Sequence, residues 1–205
     1  DLNGSSLKVL SVVKDLGVAV DNNLRFDNHI SSVIHKSLQR GNLILKCFQS
    51  RDRNLLMNAF KVYVRPLLEY AAPVCSPHFM YLILTFEHVK ESFTKRLLGL
   101  KKLTFKGRLK QLEIDTLERR RVIYDLCTCF KIIHGYNDTC LAMNRMHLEG
   151  RPNNTRGHNL KLAKEMCRTD MLRFFFCNRI CTVWNSLPLD VVNAYRLSFN
   201  DIPLV

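Results

Sequence analysis

Acidic clusters, glycine-rich loops and long apolar runs are all missing from this chain. Of 205 residues only 18 are Asp or Glu, against 31 Lys and Arg, and no two Asp are adjacent. Two-metal nucleotidyl or phosphoryl transfer needs carboxylates gathered around paired cations, and dispersed acids do not supply that. The 8 Gly form neither Gly-x4-Gly-Lys nor Gly-x-Gly-x2-Gly, so no phosphate-cradling loop is written here. No Gly-x-Ser-x-Gly elbow is present either, and a lone Cys/His coincidence means little among 8 Cys and 7 His. The chain reads as non-catalytic.

The longest unbroken apolar stretch, Phe79 to Leu84, is far short of the ~18 residues a bilayer span requires. The opening Asp-Leu-Asn-Gly-Ser-Ser has no basic cap, apolar run or cleavage pattern, so no signal peptide is visible, and the missing initiator Met is expected of a fragment. Cysteine, at about 4%, is below the roughly 8–10% of disulfide scaffolds, which points to a reduced, intracellular setting, cytoplasmic or nuclear. No Cys-x2-Cys pair exists. Cys127-x-Cys129 and Cys177-x3-Cys181, with His134 and His158 elsewhere, match no tetrahedral zinc spacing, so no metal or cofactor is expected in this chain.

What is present is a core and an uneven charge. At 47% hydrophobic and 24% charged, the chain can bury an interior. Its net charge is +13, and residues 31–110 hold 15 Lys and Arg against 4 Asp and Glu, which accounts for 11 of the 13. Such asymmetry suits a polyanion, because Lys and Arg that neutralise phosphates release condensed counterions.

The pattern along the chain predicts a mainly α fold: a basic helical bundle preceded by a short β segment and followed by a second small helical lobe. Val-rich residues 7–20, broken by Gly17 and followed by Asp21-Asn22-Asn23, read as one or two short strands that want sheet partners. Asp27 is the expected N-cap of a first helix whose stripe is Ile30, Val33, Ile34, Leu38, Gly41, Leu45 and Phe48. Asp52 opens a second helix that Pro66 kinks or ends. A third carries Leu82, Ile83, Phe86, Val89, Phe93 and Leu97 and is closed by Gly99. Residues 100–114 read as a basic connector. Asp115 with Glu118 resembles a capping box for a fourth helix that runs to Gly135. Residues 136–168 are aperiodic and read as a linker loop between two lobes. From about Thr169 one helix is expected, with Leu172, Phe175, Phe176, Ile180, Val183 and Trp184 inward, then a break at Leu187-Pro188 and a short helix through Val191, Val192 and Tyr195. The units are thus 1–26, 27–135, 136–168 and 169–205.

The basic set is the one positive chemical signal. Lys36, Arg40, Lys46, Arg51, Arg53, Lys61 and Arg65 decorate the polar faces of the first two helices, and Lys95, Arg96, Lys101, Lys102, Lys106, Arg108 and Lys110 cluster after the third. Cations so arranged can track a phosphate backbone without reading bases. The competing reading is a helical protein-interaction module, or an inert relic, whose cations only keep it soluble. Arg119-Arg120-Arg121, flanked by Glu118 and Asp125, reads as helix solvation.

Several segments together carry a resemblance. Lys-Asp-Leu-Gly-Val (14–18), Leu-Arg-Phe-Asp-Asn-His-Ile (24–30), Tyr-Val-Arg-Pro-Leu-Leu-Glu-Tyr-Ala (63–71) and Phe-Thr-Lys-Arg-Leu-Leu-Gly-Leu (93–100) come first in order. Leu-Glu-Arg-Arg-Arg (117–121), Lys-Ile-Ile-His-Gly (131–135), Thr-Arg-Gly-His-Asn-Leu-Lys-Leu (155–162) and Trp-Asn-Ser-Leu-Pro (184–188) follow. In this order they resemble the reverse transcriptases of jockey-like non-LTR retrotransposons over nearly the whole chain. The resemblance implies that 1–26 is the edge of a truncated palm sheet and 27–135 a thumb, with the helical extension beyond. It also implies that the catalytic aspartates, their Mg2+ and the fingers belong to upstream polypeptide. The implied partners are an RNA or DNA template–primer, held without sequence preference, and the palm and fingers of the parent polymerase; no membrane is implied. Cys75 stands where the family usually has Trp, which implies lost packing, and Asp201-Ile-Pro-Leu-Val replaces the family's basic ending.

Overall fold

A computed structural model of the protein describes residues 9–136 and 158–194. The Val-rich start pairs with itself. Strands β1 (Val12–Asp15) and β2 (Val18–Asp21) form an antiparallel hairpin in register Val12↔Asp21 to Asp15↔Val18. Leu16 and Gly17 connect them with φ of 44° and 86°, the left-handed pair that a two-residue hairpin turn demands. The hairpin rests on the helices by two bonds: Tyr70 Oη donates to the Leu16 carbonyl (2.6 Å), and the Ala19 N–H donates to His29 Nδ1 (3.3 Å). All four residues of β1 are exposed, and among the described residues nothing pairs with its outer edge.

Helix α1 (Asp27–Cys47) follows, but Asp27 is not its cap. Phe26 holds that position in a left-handed conformation, and Asp27 lies inside the first turn. No side chain caps its first turn; the Asp21 carboxylate instead orders the preceding loop, accepting from the amides of Asn23, Arg25 and Phe26 at 2.7–3.1 Å. Asp52 does cap α2 (Arg53–Tyr63), accepting from the Leu55 amide at 2.7 Å. Pro66 ends that helix as expected: Val64 breaks the run, and Pro66 sits in the first turn of α3 (Arg65–Glu69), where its missing N–H costs nothing.

Helix α4 (Met80–Lys95) lies along α1 in the same direction, since Tyr81 reaches Asp27 at one end and Arg96 reaches Asn42 at the other. The connector 100–114 contains a further helix, α5 (Phe105–Gln111), capped by Thr104. Its roughly two turns offer too few apolar positions to show a period. Helix α6 (Leu117–Ile133) starts one residue later than the Asp115 capping box requires, because the Thr116 hydroxyl takes the Arg119 amide at 3.1 Å. Gly135, at positive φ, directly follows the C-cap of α6 as expected, whereas α4 ends at Lys95 with Arg96 as its C-cap, so Gly99, also at positive φ, lies in the turn beyond and does not close the helix.

Two apolar cores result. In the first, Ile30, Ile34, Leu56, Phe60, Phe86, Phe93 and Leu97 close around the Phe60–Phe93 ring pair, 4.8 Å between centroids. Each such side chain contributes roughly 1.5–3 kcal/mol by leaving water. Gly41 lets α1 approach α4 here, and a methyl group on it would stand 3.5 Å from Phe93. Cys75 is buried as well, and the void beside it is about 10 Å³, room for one water at most.

The second core gathers Ile123, Leu126, Cys129 and Phe130 of α6 with Phe176, Ile180 and Trp184 of the C-terminal helices. The single helix expected there is two, α7 (Asp170–Arg173) and α8 (Phe176–Asn185), with Phe174 and Phe175 between; Leu172 and Phe175 face solvent. Pro188 breaks the chain before the short α9 (Leu189–Val192). Residues 158–162, expected in a linker, belong to this core. Leu162 is buried and exchanges both backbone hydrogen bonds with the Asn185 amide, and Trp184 Nε1 donates to the Leu160 carbonyl at 2.8 Å. The linker residues 137–157, Tyr195 and the ending at 201–205 lie outside the described residues.

The cores share α6: Leu117 lies in the first, Ile123 to Ile132 in the second. A buried ion pair reinforces the join. Arg179 of α8 binds both Asp125 oxygens (2.8 and 2.9 Å) and donates to the carbonyls of Pro73 and Phe174 at 2.9 and 3.2 Å. Asp125 therefore pairs directly with Arg179, while Arg121 of the Arg119–Arg121 run acts on it only through its charge. Burial pushes its carboxyl pKa up, against the pull of Arg179 and Arg121.

Two outcomes follow from this packing. Gly41→Ala should stabilise the protein by about 0.5–1 kcal/mol in urea melts, because the new methyl meets Phe93 at ordinary contact distance and helix propensity improves. Arg179→Met should cost about 3–5 kcal/mol by stranding the Asp125 charge, and adding Asp125→Leu should recover most of the loss.

Candidate nucleic-acid interface

The direction of three helices decides where the cations fall. Because α1 and α4 run side by side and α2 turns back along α1, with Arg40 donating to the Tyr63 carbonyl at 3.2 Å, the C-terminal ends of α1 and α4 meet the α1–α2 loop. Lys46 closes α1, Arg51 donates to the Leu45 carbonyl at 2.9 Å, and Arg53 begins α2. Lys95 and Arg96 end α4, and Lys101, Lys102 and Lys106 follow in the turn into α5. All eight are exposed; among the described residues Asp52 is occupied by the α2 cap, and Glu91, one turn before Lys95, by Arg108. Arg96 is held in place by Asn42 Oδ1 (2.7 Å) and the Ser92 carbonyl (3.1 Å).

The rest of the basic set is distributed differently. Lys36 and Arg40 lie one turn apart on the exposed side of α1, farther from that end, and Lys110 is exposed on α5. Lys61 and Arg65 flank a cleft of about 240 Å³ on the α2–α3 side. Arg108 belongs to neither group. It is 2% exposed, donates to the Leu103 carbonyl (2.6 Å) and Thr94 Oγ1 (3.2 Å), and reaches Glu91 at 3.4 Å. It pins α5 onto α4 and cannot touch a ligand, so its assignment as a backbone contact is corrected.

The Arg119–Arg121 run is also more than surface dressing. Arg119 pairs with Asp115 at 3.4 Å, and Arg120 forms a two-pronged pair with Glu69 of α3. Arg121 is buried, with its guanidinium 3.8 Å from the Phe86 ring centroid and one N–H on the Leu68 carbonyl. Burial lowers its pKa to about 10. Two functional candidates were not singled out from sequence: Lys90 and Arg120, which line the same cleft as Lys61 and Arg65. The signal for Lys90 was there, since it falls on the apolar stripe of α4 between Phe86 and Thr94, both buried.

Among the described residues, no group of three His, Cys, Asp or Glu is placed to hold a metal ion, and no helix is long and apolar enough to cross a membrane. Cys177 and Cys181 share a buried face of α8, where burial raises the Cys181 thiol.

Comparison with known proteins adds little. No protein-family model matches the chain, and no solved structure matches it. It is similar to the uncharacterized protein B0403.1 of Caenorhabditis elegans, 28% identical over 126 residues, which cover 60% of this chain and 64% of that protein. The matched region thus falls short of two thirds of the relative's length.

The separation of structural from free cations is testable. Arg108→Ala should lose about 2–3 kcal/mol, through the unsatisfied Leu103 carbonyl and the lost bonds to α4, whereas Lys101→Ala should stay within roughly 0.5 kcal/mol of wild type in the same denaturation experiment.

Proposed function

We propose that the chain grips the sugar–phosphate backbone of a nucleic-acid duplex with the basic end of its first bundle. In this reading it is the thumb-side, non-catalytic part of an RNA-directed DNA polymerase of a non-LTR retrotransposon. The observation that carries the reading is the convergence of Lys46, Arg51, Arg53, Lys95, Arg96, Lys101, Lys102 and Lys106 at one end of α1, α2 and α4, where among the described residues the neighbouring Asp52 and Glu91 are already engaged. Cations on helix ends and turns neutralise phosphates and fix register, and they do not distinguish bases. The order of motifs from residue 14 to residue 188 supports the polymerase parentage. Catalytic aspartates and their Mg2+ would then be contributed by the parent, and this chain would position the template–primer.

One observation favours a second reading, a helical protein-interaction module. Val9, Leu10, Val13 and Leu16 are all about half exposed or more along the hairpin. Under the polymerase reading the same hairpin is the margin of a larger palm sheet, so the exposed valines do not separate the two. Nucleic-acid binding does.

With an RNA–DNA or DNA duplex, filter binding should give affinity that falls on the order of 100-fold between 50 and 200 mM salt, as about four neutralised phosphates require. Reversing Lys95, Lys101 and Lys102 to Glu should remove most of that affinity and flatten the salt slope, whatever the duplex sequence. Binding that ignores salt, or survives the reversal, would leave the interaction module as the better account.

A further inference from the structure

The cleft between α2, α3, α4 and α6 is lined by four cations, Lys61, Arg65, Lys90 and Arg120, with Glu113 and Asp115 opposite. One of these cations, Lys90, has no ion pair among the described residues, and one carboxylate serves two of the others. Glu69 serves both Arg120, in a two-pronged contact, and Arg65 at 3.8 Å. Asp115 turns its carboxylate to Arg119. Lys90 is 2% exposed, yet among the described residues no carboxylate lies within ion-pairing distance; its ammonium donates only to the Asp115 backbone carbonyl. An ammonium has three donors, and leaving a buried one without a counter-ion is costly. Burial is the largest influence on Lys90 and lowers its pKa to about 8. The Arg120 charge works in the same direction, while Glu87, one turn away on α4, is the largest opposing charge, followed by Glu69 and Asp115. At about 240 Å³ the cleft would hold roughly eight waters, ample for a tetrahedral oxyanion with part of its hydration shell.

We propose that this cleft is a seat for a phosphate dianion, held by Lys61, Arg65 and Arg120 at the mouth and by the spare donors of Lys90 at its floor. The arrangement suits a compact, doubly charged group: guanidinium forks bind oxyanions in pairs of hydrogen bonds, and the ammonium acts as a point charge beneath. A phosphate there gives Lys90 a direct counter-ion and adds an acceptor that Arg65 and Arg120 can share. The seat lies apart from the basic end of α1 and α4, so it stands whether or not that end binds a duplex. The same chemistry is offered by free inorganic phosphate and by the terminal phosphate of a nucleic-acid strand.

The full chain is titrated with inorganic phosphate at constant ionic strength, with sodium chloride as the matched control, by calorimetry and by following the Lys90 Cε resonance. Saturable binding is expected, with the Lys90 titration midpoint moving upward from about 8 when phosphate is present. Lys61→Gln with Arg65→Gln should weaken phosphate binding at least tenfold. Should that pair unfold, Lys61→Gln alone, a half-exposed side chain, should still weaken it severalfold. An oligonucleotide bearing a 5′-phosphate should compete with inorganic phosphate if a strand end is the source, while its 5′-hydroxyl counterpart should not. If neither competes, free phosphate is the ligand. Absence of saturable binding, or binding untouched by the Lys61 substitution in a folded protein, overturns the seat. Duplex affinity measured on the same samples reports separately on the clamp.

Discussion

A guanidinium or ammonium withdrawn from water must find acceptors, and much of this fold is arranged around that requirement. Arg108 fastens α5 to α4, Arg121 bridges α6 to the end of α3 over the Phe86 ring, and Arg179 brings α8, Asp125 and the Pro73 carbonyl to a single point. In each case the partner lies on a different element, and the bond substitutes for water the backbone would otherwise need. Apolar area drives the collapse, but these fixed contacts choose which helix faces meet.

That requirement also sorts the cations by role. A chain at +13 offers many more positive groups than it can pair with 18 acids. Those drawn inward are answered by carbonyls, a ring or a shared carboxylate, and the remainder are left at helix ends. The basic end of the first bundle is what remains after the interior has taken its share, and Lys90 is the exception: inside, charged, and answered by one carbonyl alone.

Much of the fold was legible in the sequence. Pro66 and Gly135 punctuate the chain where their backbone chemistry says they should, and the stripes from Ile30 to Phe48 and from Leu82 to Leu97 turn toward the first core, with Ile44 rather than Leu45 buried. Helix starts were harder. Asp27 and Asp115 have the right side chain, but α1 starts from a left-handed Phe26 with no side-chain cap and Thr116 caps α6, a matter of dihedral angles that residue type does not fix. Helix α5 was hidden because Phe105, Leu109 and Leu112 are too few to show a period amid five cations. The fate of the arginines was least visible. Arg120 meets Glu69 from 51 residues away and Arg179 meets Asp125 from 54, separations at which nothing local announces a partner. The candidate site was accordingly half legible: its exposed lysines were evident, while Arg108 was misplaced and Lys90 overlooked.

Helix α6 carries a consequence for how the molecule can be divided. Its opening residue completes one interior and its remaining turns complete another. Severed after residue 135, the N-terminal piece would present the bare flank of Ile123, Leu126 and Phe130 to solvent, and the C-terminal piece would have no scaffold on which to fold. Evolution could therefore trim or extend this polypeptide at its extremities, but any recombination through its middle would inherit two unfinished halves.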